Sequence, residues 1–186
     1  TVTNQKKGTV FTNYKTYAIP DSVYIITGNE NNQDSFALDN TIDATILNEI
    51  KTQMKTMGYA KVDLTEDPDV GLFASRLIVT TSGTSYVPGY CGDGWGWGWG
   101  GGGYWGYPGY GYCSPGYAYD YNYSTGTIMV SMVDLDNTDP DAKVLSVLWS
   151  MASNGFIDEN TILANKSRIK NNVARGFDQS PYLQTQ

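Results

Sequence analysis

The sequence predicts an α+β fold: a mostly antiparallel sheet of about five strands, two helices on one face, and a long Gly/Trp/Tyr-rich insertion between two strands. Three observations predict it. Only two stretches repeat apolar residues at helical spacing, too few to supply a crossover between every pair of strands. Short β-rich runs bounded by turn residues make up most of the remainder. Between Cys91 and Cys113 almost every residue is Gly, Trp or Tyr. At 186 residues the chain fits one domain, 1–186, with a real hydrophobic core and with 83–124 as the insertion.

Taken in order, Thr1 to Gly8 is a polar lead-in. Val10 to Ala18 is rich in β-formers and reads as the first strand, stopped by Pro20. Thr27 to Ser35 is a polar connection whose Gly28-Asn29-Glu30-Asn31-Asn32 reads as an exposed loop. Ile42, Ile46, Ile50, Met54 and Met57 then repeat at helical spacing. Asp39 or Thr41 is placed to cap the start of this helix, and Gly58 supplies a left-handed stop. Tyr59 to Leu64 is a short strand, followed by the turn Glu66-Asp67-Pro68-Asp69. Val70 to Thr81 is apolar on both faces, which places it centrally in the sheet. Thr125 to Leu135 resumes the sheet after the insertion, Asp136 to Lys143 is a polar connection, and Val144 to Ser153 is the last strand. A final helix from about Asp158 to Phe177 carries Ile162, Ile169, Val173 and Phe177 on one side. Its Lys166, Arg168, Lys170 and Arg175 form a solvated face.

The insertion is the unusual part. Runs of Gly bury no side chain and lose the most backbone entropy on ordering. Interleaved rings oppose that, because each Trp or Tyr buries on the order of 150–250 Å² and carries a polar tip. The balance favours a packed loop over a tether, and the loop is also a candidate cover for the sheet face that the two helices leave bare. The rings that would form a binding surface are Trp95, Trp97, Trp99, Tyr104, Trp105, Tyr107 and Tyr110. The two cysteines sit at the ends of this tract. A Cys91–Cys113 disulfide would close a loop of about 23 residues and stabilise by on the order of 3 kcal/mol on the chain-entropy model, and it would imply an oxidising compartment. The alternative is two free thiols that flank a low-complexity tract.

Composition narrows the partners. A net charge of -7 argues against electrostatic binding to nucleic acid or to an anionic membrane surface. Only 17% of residues are charged, while Asn, Thr, Ser, Gly and Tyr are abundant, a balance common in secreted and envelope proteins. No stretch approaches the 18 or so apolar residues of a membrane helix. A start at Thr1 is what removal of an export signal would leave.

Six segments, FTNYKTYAIP, MKTMGY, DPDVGLFAS, GTIMVSMVDL, VLSVLWSMAS and FDQSPYL, occur in this order and at this spacing. Together they resemble the domain of unknown function 4136 family over nearly the whole chain. The resemblance implies an exported bacterial lipoprotein of the cell envelope, periplasmic or associated with the outer membrane, as in Bacteroides-like bacteria. Its lipidated Cys would lie just before the folded domain and is absent from this chain. The family brings no known activity, substrate, cofactor or catalytic residue.

The residues themselves argue against catalysis. The chain has no histidine, which removes Ser-His-Asp and Cys-His pairs and the usual zinc and copper ligand. Paired carboxylates of the glycosidase kind would have to draw on Glu30, Glu49, Glu66 and Glu159, which fall in a helix and in turns or termini. Three motif matches are discounted. Gly96-Trp97-Gly98-Trp99-Gly100-Gly101 fits GxGxxG without a helix to follow it. The run Asp134 to Asp141 starts like a calcium loop but has Asp139 where Gly is required and Leu145 where Glu is required. Asn122-Tyr123-Ser124 and Asn165-Lys166-Ser167 match the glycosylation pattern only. The expectation is a non-enzymatic envelope protein with a structural or interaction role, with no metal and no cofactor, whose insertion packs on its own sheet or on a partner, an envelope protein or a glycan. The alternative is a glycan- or peptidoglycan-binding module that presents the aromatic insertion.

Overall fold

The computed structural model describes residues 1–27, 40–78, 83–87, 91–92, 112–113, 117–121, 126–135, 146–155 and 162–185, and the side chains of 1–23, 41–76, 126–135, 146–155 and 165–185. The elements are β1 (Val2–Gln5), β2 (Thr16–Ala18), β3 (Tyr24–Thr27), α1 (Asn40–Thr56), β4 (Ala60–Lys61), β5 (Val70–Ile78), β6 (Gly83–Val87), β7 (Cys91–Gly92), β8 (Tyr112–Cys113), β9 (Tyr117–Tyr121), β10 (Thr127–Asp134), β11 (Val147–Asn154) and α2 (Ile162–Asp178).

The main sheet is mixed, not mostly antiparallel, and larger than five strands. Six strands lie in the order β1-β11-β10-β5-β2-β4, and β3 also joins β5. β1, β11, β10 and β5 are antiparallel neighbours, whereas β2 and β3 run parallel to β5, and β4 runs parallel to β2. One helix suffices for this parallel half because β2 and β3 are two pieces of a single broken strand along β5, and α1 makes the crossover from them to β4 and β5. Ala18 pairs with Gly71 and Tyr24 with Ser75, so residues 19–23 bulge opposite 72–74. Pro20, which cannot donate to the ladder, falls in that bulge. It interrupts the strand where the sequence reading ended it. The segment before Thr16 also differs from expectation, since Phe11–Asn13 is a turn of 3-10 helix.

α1 buries Ile46, Ile50 and Met54 completely and Leu47 almost so, and Met57, one residue past its end, is buried as well. Thr41 lies inside this helix, and Asp39 is outside the described residues. The C-terminus of α1 is a Schellman motif. Gly58 takes φ 94°, its N–H donates to the Lys55 carbonyl at 3.1 Å, and the Tyr59 N–H reaches back to Met54 at 3.0 Å. α2 buries Ile169, Val173 and Phe177 and leaves Arg168, Lys170 and Arg175 exposed. These residues join Val70, Leu72 and Ala74 of β5, Ile128, Val130 and Met132 of β10, and Trp149 and Met151 of β11 in one core. Both helices therefore share one face of the sheet. An extra residue, Leu148, bulges β11 between the pairs Met132↔Trp149 and Val133↔Val147.

The opposite face is not wet. All eight residues of β10 are buried, and Phe73, Val133 and Leu135 form a second cluster with half-buried Val147. β10 thus reads as a strand closed on both sides, as the unbroken apolar run of its sequence requires.

Candidate functional site

The six segments quoted above converge on one end of the sheet. Lys15 and Thr16 at the start of β2 donate their backbone N–H groups to Asp69 Oδ2, the second at 2.8 Å, and Thr16 Oγ1 accepts from the Asp69 N–H at 3.0 Å. One carboxylate thereby fixes the start of β2 against the turn before β5. That turn contains Asp67 at φ 56°, a left-handed position that Asp tolerates through local hydrogen bonding. The Leu135 N–H donates to the Asp69 carbonyl at 3.0 Å, which brings in the end of β10. The closing segment docks here as well. The Trp149 indole N–H donates to Ser180 Oγ at 2.9 Å, the Tyr182 hydroxyl donates to the same oxygen at 3.1 Å, and the Tyr182 ring stands 5.7 Å from that of Phe11. Lys15 Nζ donates to the Thr185 carbonyl at 2.8 Å and the Thr185 N–H to the Met57 carbonyl at 3.0 Å.

The interior of this end is polar. Tyr14 donates its hydroxyl to Asp134 Oδ2 at 3.0 Å, and both are buried. Tyr59 is 4% exposed, and its buried hydroxyl has no hydrogen-bond partner among the described residues. Burial first, then repulsion from Tyr14 once that phenol ionises and from the Asp69 carboxylate, holds its pKa well above the tyrosine range. Burial alone pushes Tyr17 up to about 12. A second buried polar pair lies along β5, where Arg76 Nε stands 2.9 Å from Asp43 Oδ1 in the first turn of α1. The helix N-terminus adds a favourable field for that carboxylate.

Sequence reasoning missed these residues, although signals existed. Asp134 ends the apolar run TIMVSMVD and Arg76 interrupts DPDVGLFASRLIV. A charge inside a strand apolar on both faces needs a buried partner. Of the four glutamates, Glu66 accepts the Asp63 N–H at 2.8 Å and Glu49 accepts from Gln53 at 2.8 Å, and Glu30 and Glu159 are outside the described residues. Asn165 of the second glycosylation pattern is buried within α2.

The candidate binding rings Trp95, Trp97, Trp99, Tyr104, Trp105, Tyr107 and Tyr110 lie outside the described residues, as do the side chains of Cys91 and Cys113. The backbone around them is informative. β6 pairs antiparallel with β9, from Gly83↔Tyr121 to Val87↔Tyr117, and β7 pairs with β8 as Cys91↔Cys113 and Gly92↔Tyr112. The paired numbers add to the same value as in β5 and β10, where Leu77 opposes Thr127. The three ladders therefore share one register, with equal numbers of residues between them on the two strands. Among the described residues no cluster of His, Cys, Asp and Glu is arranged to hold a metal ion, and no helix is long and apolar enough to cross a membrane.

Fold and site define an α+β protein on a mixed sheet, with both helices on one face and a polar interior of tyrosine, carboxylate and one arginine. The chain belongs to the family described as Domain of unknown function (DUF4136), whose model matches residues 1–182. It is similar to the crystal structure of a DUF4136 family protein from Bacteroides thetaiotaomicron, at 28% identity and a TM-score of 0.70, over 100% of this chain and 97% of that one. No curated protein shows significant similarity to it.

Proposed function

We propose that this chain is a non-enzymatic, exported protein of the cell envelope, held there by a lipid anchor on a Cys preceding the folded domain, and that it presents the Gly/Trp/Tyr tract to an envelope protein partner. The observation that carries the reading is the common register of the three ladders. The strands that enter and leave the tract are paired with each other and continue the numbering of the central pair β5 and β10. Paired strands that lead into and out of the tract hold its two ends together, which lowers the entropic cost of recognition relative to a free tether. The buried polar end of the sheet supports a structural role for the rest of the chain, since its carboxylates and hydroxyls tie chain segments together. A net charge of -7 and the absence of histidine fit a role without acid–base chemistry and without nucleic acid.

The test has two parts. Fatty-acid labelling of the precursor in its own cells should mark the protein and place it in the envelope fraction, and an unlabelled soluble protein would remove the anchor. Crosslinking in intact cells, with the photoreactive group at Trp97 or Trp105, should trap one protein partner. Trapping of peptidoglycan instead would replace the protein partner by the glycan reading.

A further inference from the structure

We propose that Cys91 and Cys113 are joined as a cross-strand disulfide that closes 92–112, and with it all seven candidate rings, into a covalent loop. The inference rests on the export proposed above but not on the tract binding a partner. β7 and β8 are antiparallel, and Cys91 is the direct partner of Cys113 in that ladder. Directly opposed residues of an antiparallel pair have Cα atoms about 4.5–5.5 Å apart, inside the ~4.4–6.8 Å that a disulfide spans. Both side chains of such a pair leave the ladder on the same face. A slip of one residue on either strand would send the two sulfurs to opposite faces, so the observed register is the one that permits the bond.

The placement also has a purpose. A two-residue ladder holds little by itself, and the neighbouring ladder β6–β9 ends at Val87↔Tyr117. A covalent tie at the Cys91↔Cys113 pair fixes the register at the mouth of the tract. In the oxidation, the two thiols lose two protons and two electrons and form one S–S bond, and a disulfide-bonded dithiol oxidant of an exported compartment accepts them and becomes a dithiol.

The protein is taken from cells grown with the native export signal, quenched in acid, unfolded and alkylated before and after reduction. Two added labels after reduction and none before are expected. Two labels without reduction overturn the proposal. Connectivity is read by chymotrypsin, because no Lys or Arg occurs between Arg76 and Lys143 and trypsin cannot separate the cysteines. A peptide holding Cys91 and one holding Cys113 should migrate as a single mass that splits on reduction. A disulfide-linked dimer on non-reducing gels, lost in Cys91→Ser, would also overturn it by showing an intermolecular bond.

Discussion

The Tyr14 hydroxyl donates a 3.0 Å hydrogen bond to Asp134 Oδ2 and so joins the chain start to the end of β10, while the Tyr59 hydroxyl at the same end of the sheet is buried without a partner among the described residues. Two tyrosines in one setting thus have opposite status. Tyr14→Phe removes a donor from a buried carboxylate and should cost about 1.5–3 kcal/mol, whereas Tyr59→Phe removes an unsatisfied group and should be neutral or slightly stabilising. Urea melts of the two variants check the order. A loss at Tyr59 as large as that at Tyr14 would show that its hydroxyl takes a bridging water.

The same burial sets an alkaline limit. Tyr17 has its pKa raised to about 12 in the folded chain, and that of Tyr59 is also raised. The unfolded chain begins to release these protons near pH 10, so between about pH 10 and 12 the folded state binds more protons than the unfolded one. Stability is intact below that window and falls as pH rises through it, by up to ~1.4 kcal/mol per pH unit for one such group. Urea midpoints from pH 9 to 11.5 should fall less steeply in Tyr17→Phe than in the parent.

Ile50 lies fully buried between α1 and the sheet, beside Ile46 and Met54. Ile50→Ala should cost about 2–4 kcal/mol through the cavity that it leaves. A loss below about 0.5 kcal/mol in denaturant melts would mean that the helix repacks around the gap.

Gly176 lets α2 approach β11 closely. A Cβ built there would stand 2.4 Å from Met151 Sδ and 2.9 Å from its Cε, and Met151 is itself buried. Although Gly is a poor helix former, Gly176→Val should lose about 1–3 kcal/mol through overpacking. A partner change of Met151→Ala should recover part of that loss, which a double-mutant cycle would measure.

The helices and the central strands were legible because their apolar periodicity and their stops, such as Gly58, are local. The rest was not, for physical reasons that particular residues show. β1, with the sequence Val-Thr-Asn-Gln, is mostly exposed at the sheet edge, so it carries no apolar signature. β3 has only Tyr24, Ile25, Ile26 and Thr27 between a broken turn and a polar connection, and its parallel pairing with β5 is a long-range choice that no local pattern encodes. The polar interior escaped for a related cause. Asp134 looks like the first residue of the acidic turn that follows it, and only the approach of Tyr14 from 120 residues away shows it to be internal.

The common register allows a clean excision of the tract. Val87 and Tyr117 are direct partners, so replacing 88–116 with an Asn-Gly turn keeps the β6–β9 ladder in phase and installs a dipeptide suited to a two-residue hairpin. The variant lacks both cysteines and all seven candidate rings, yet it keeps every residue of the helix-facing core. Each halving of a flexible loop lowers its closure cost by about 0.6 kcal/mol, so the change in chain entropy favours the shorter form. A single cooperative thermal transition is therefore expected, with the crosslink proposed above abolished. The burial of Phe73, Val133 and Leu135 on the sheet face away from the helices gives the measurement its edge. If the excised segment covers that face, the variant will bind a hydrophobic dye such as ANS and melt without cooperativity, and the tract will then count as core and not as a displayed surface.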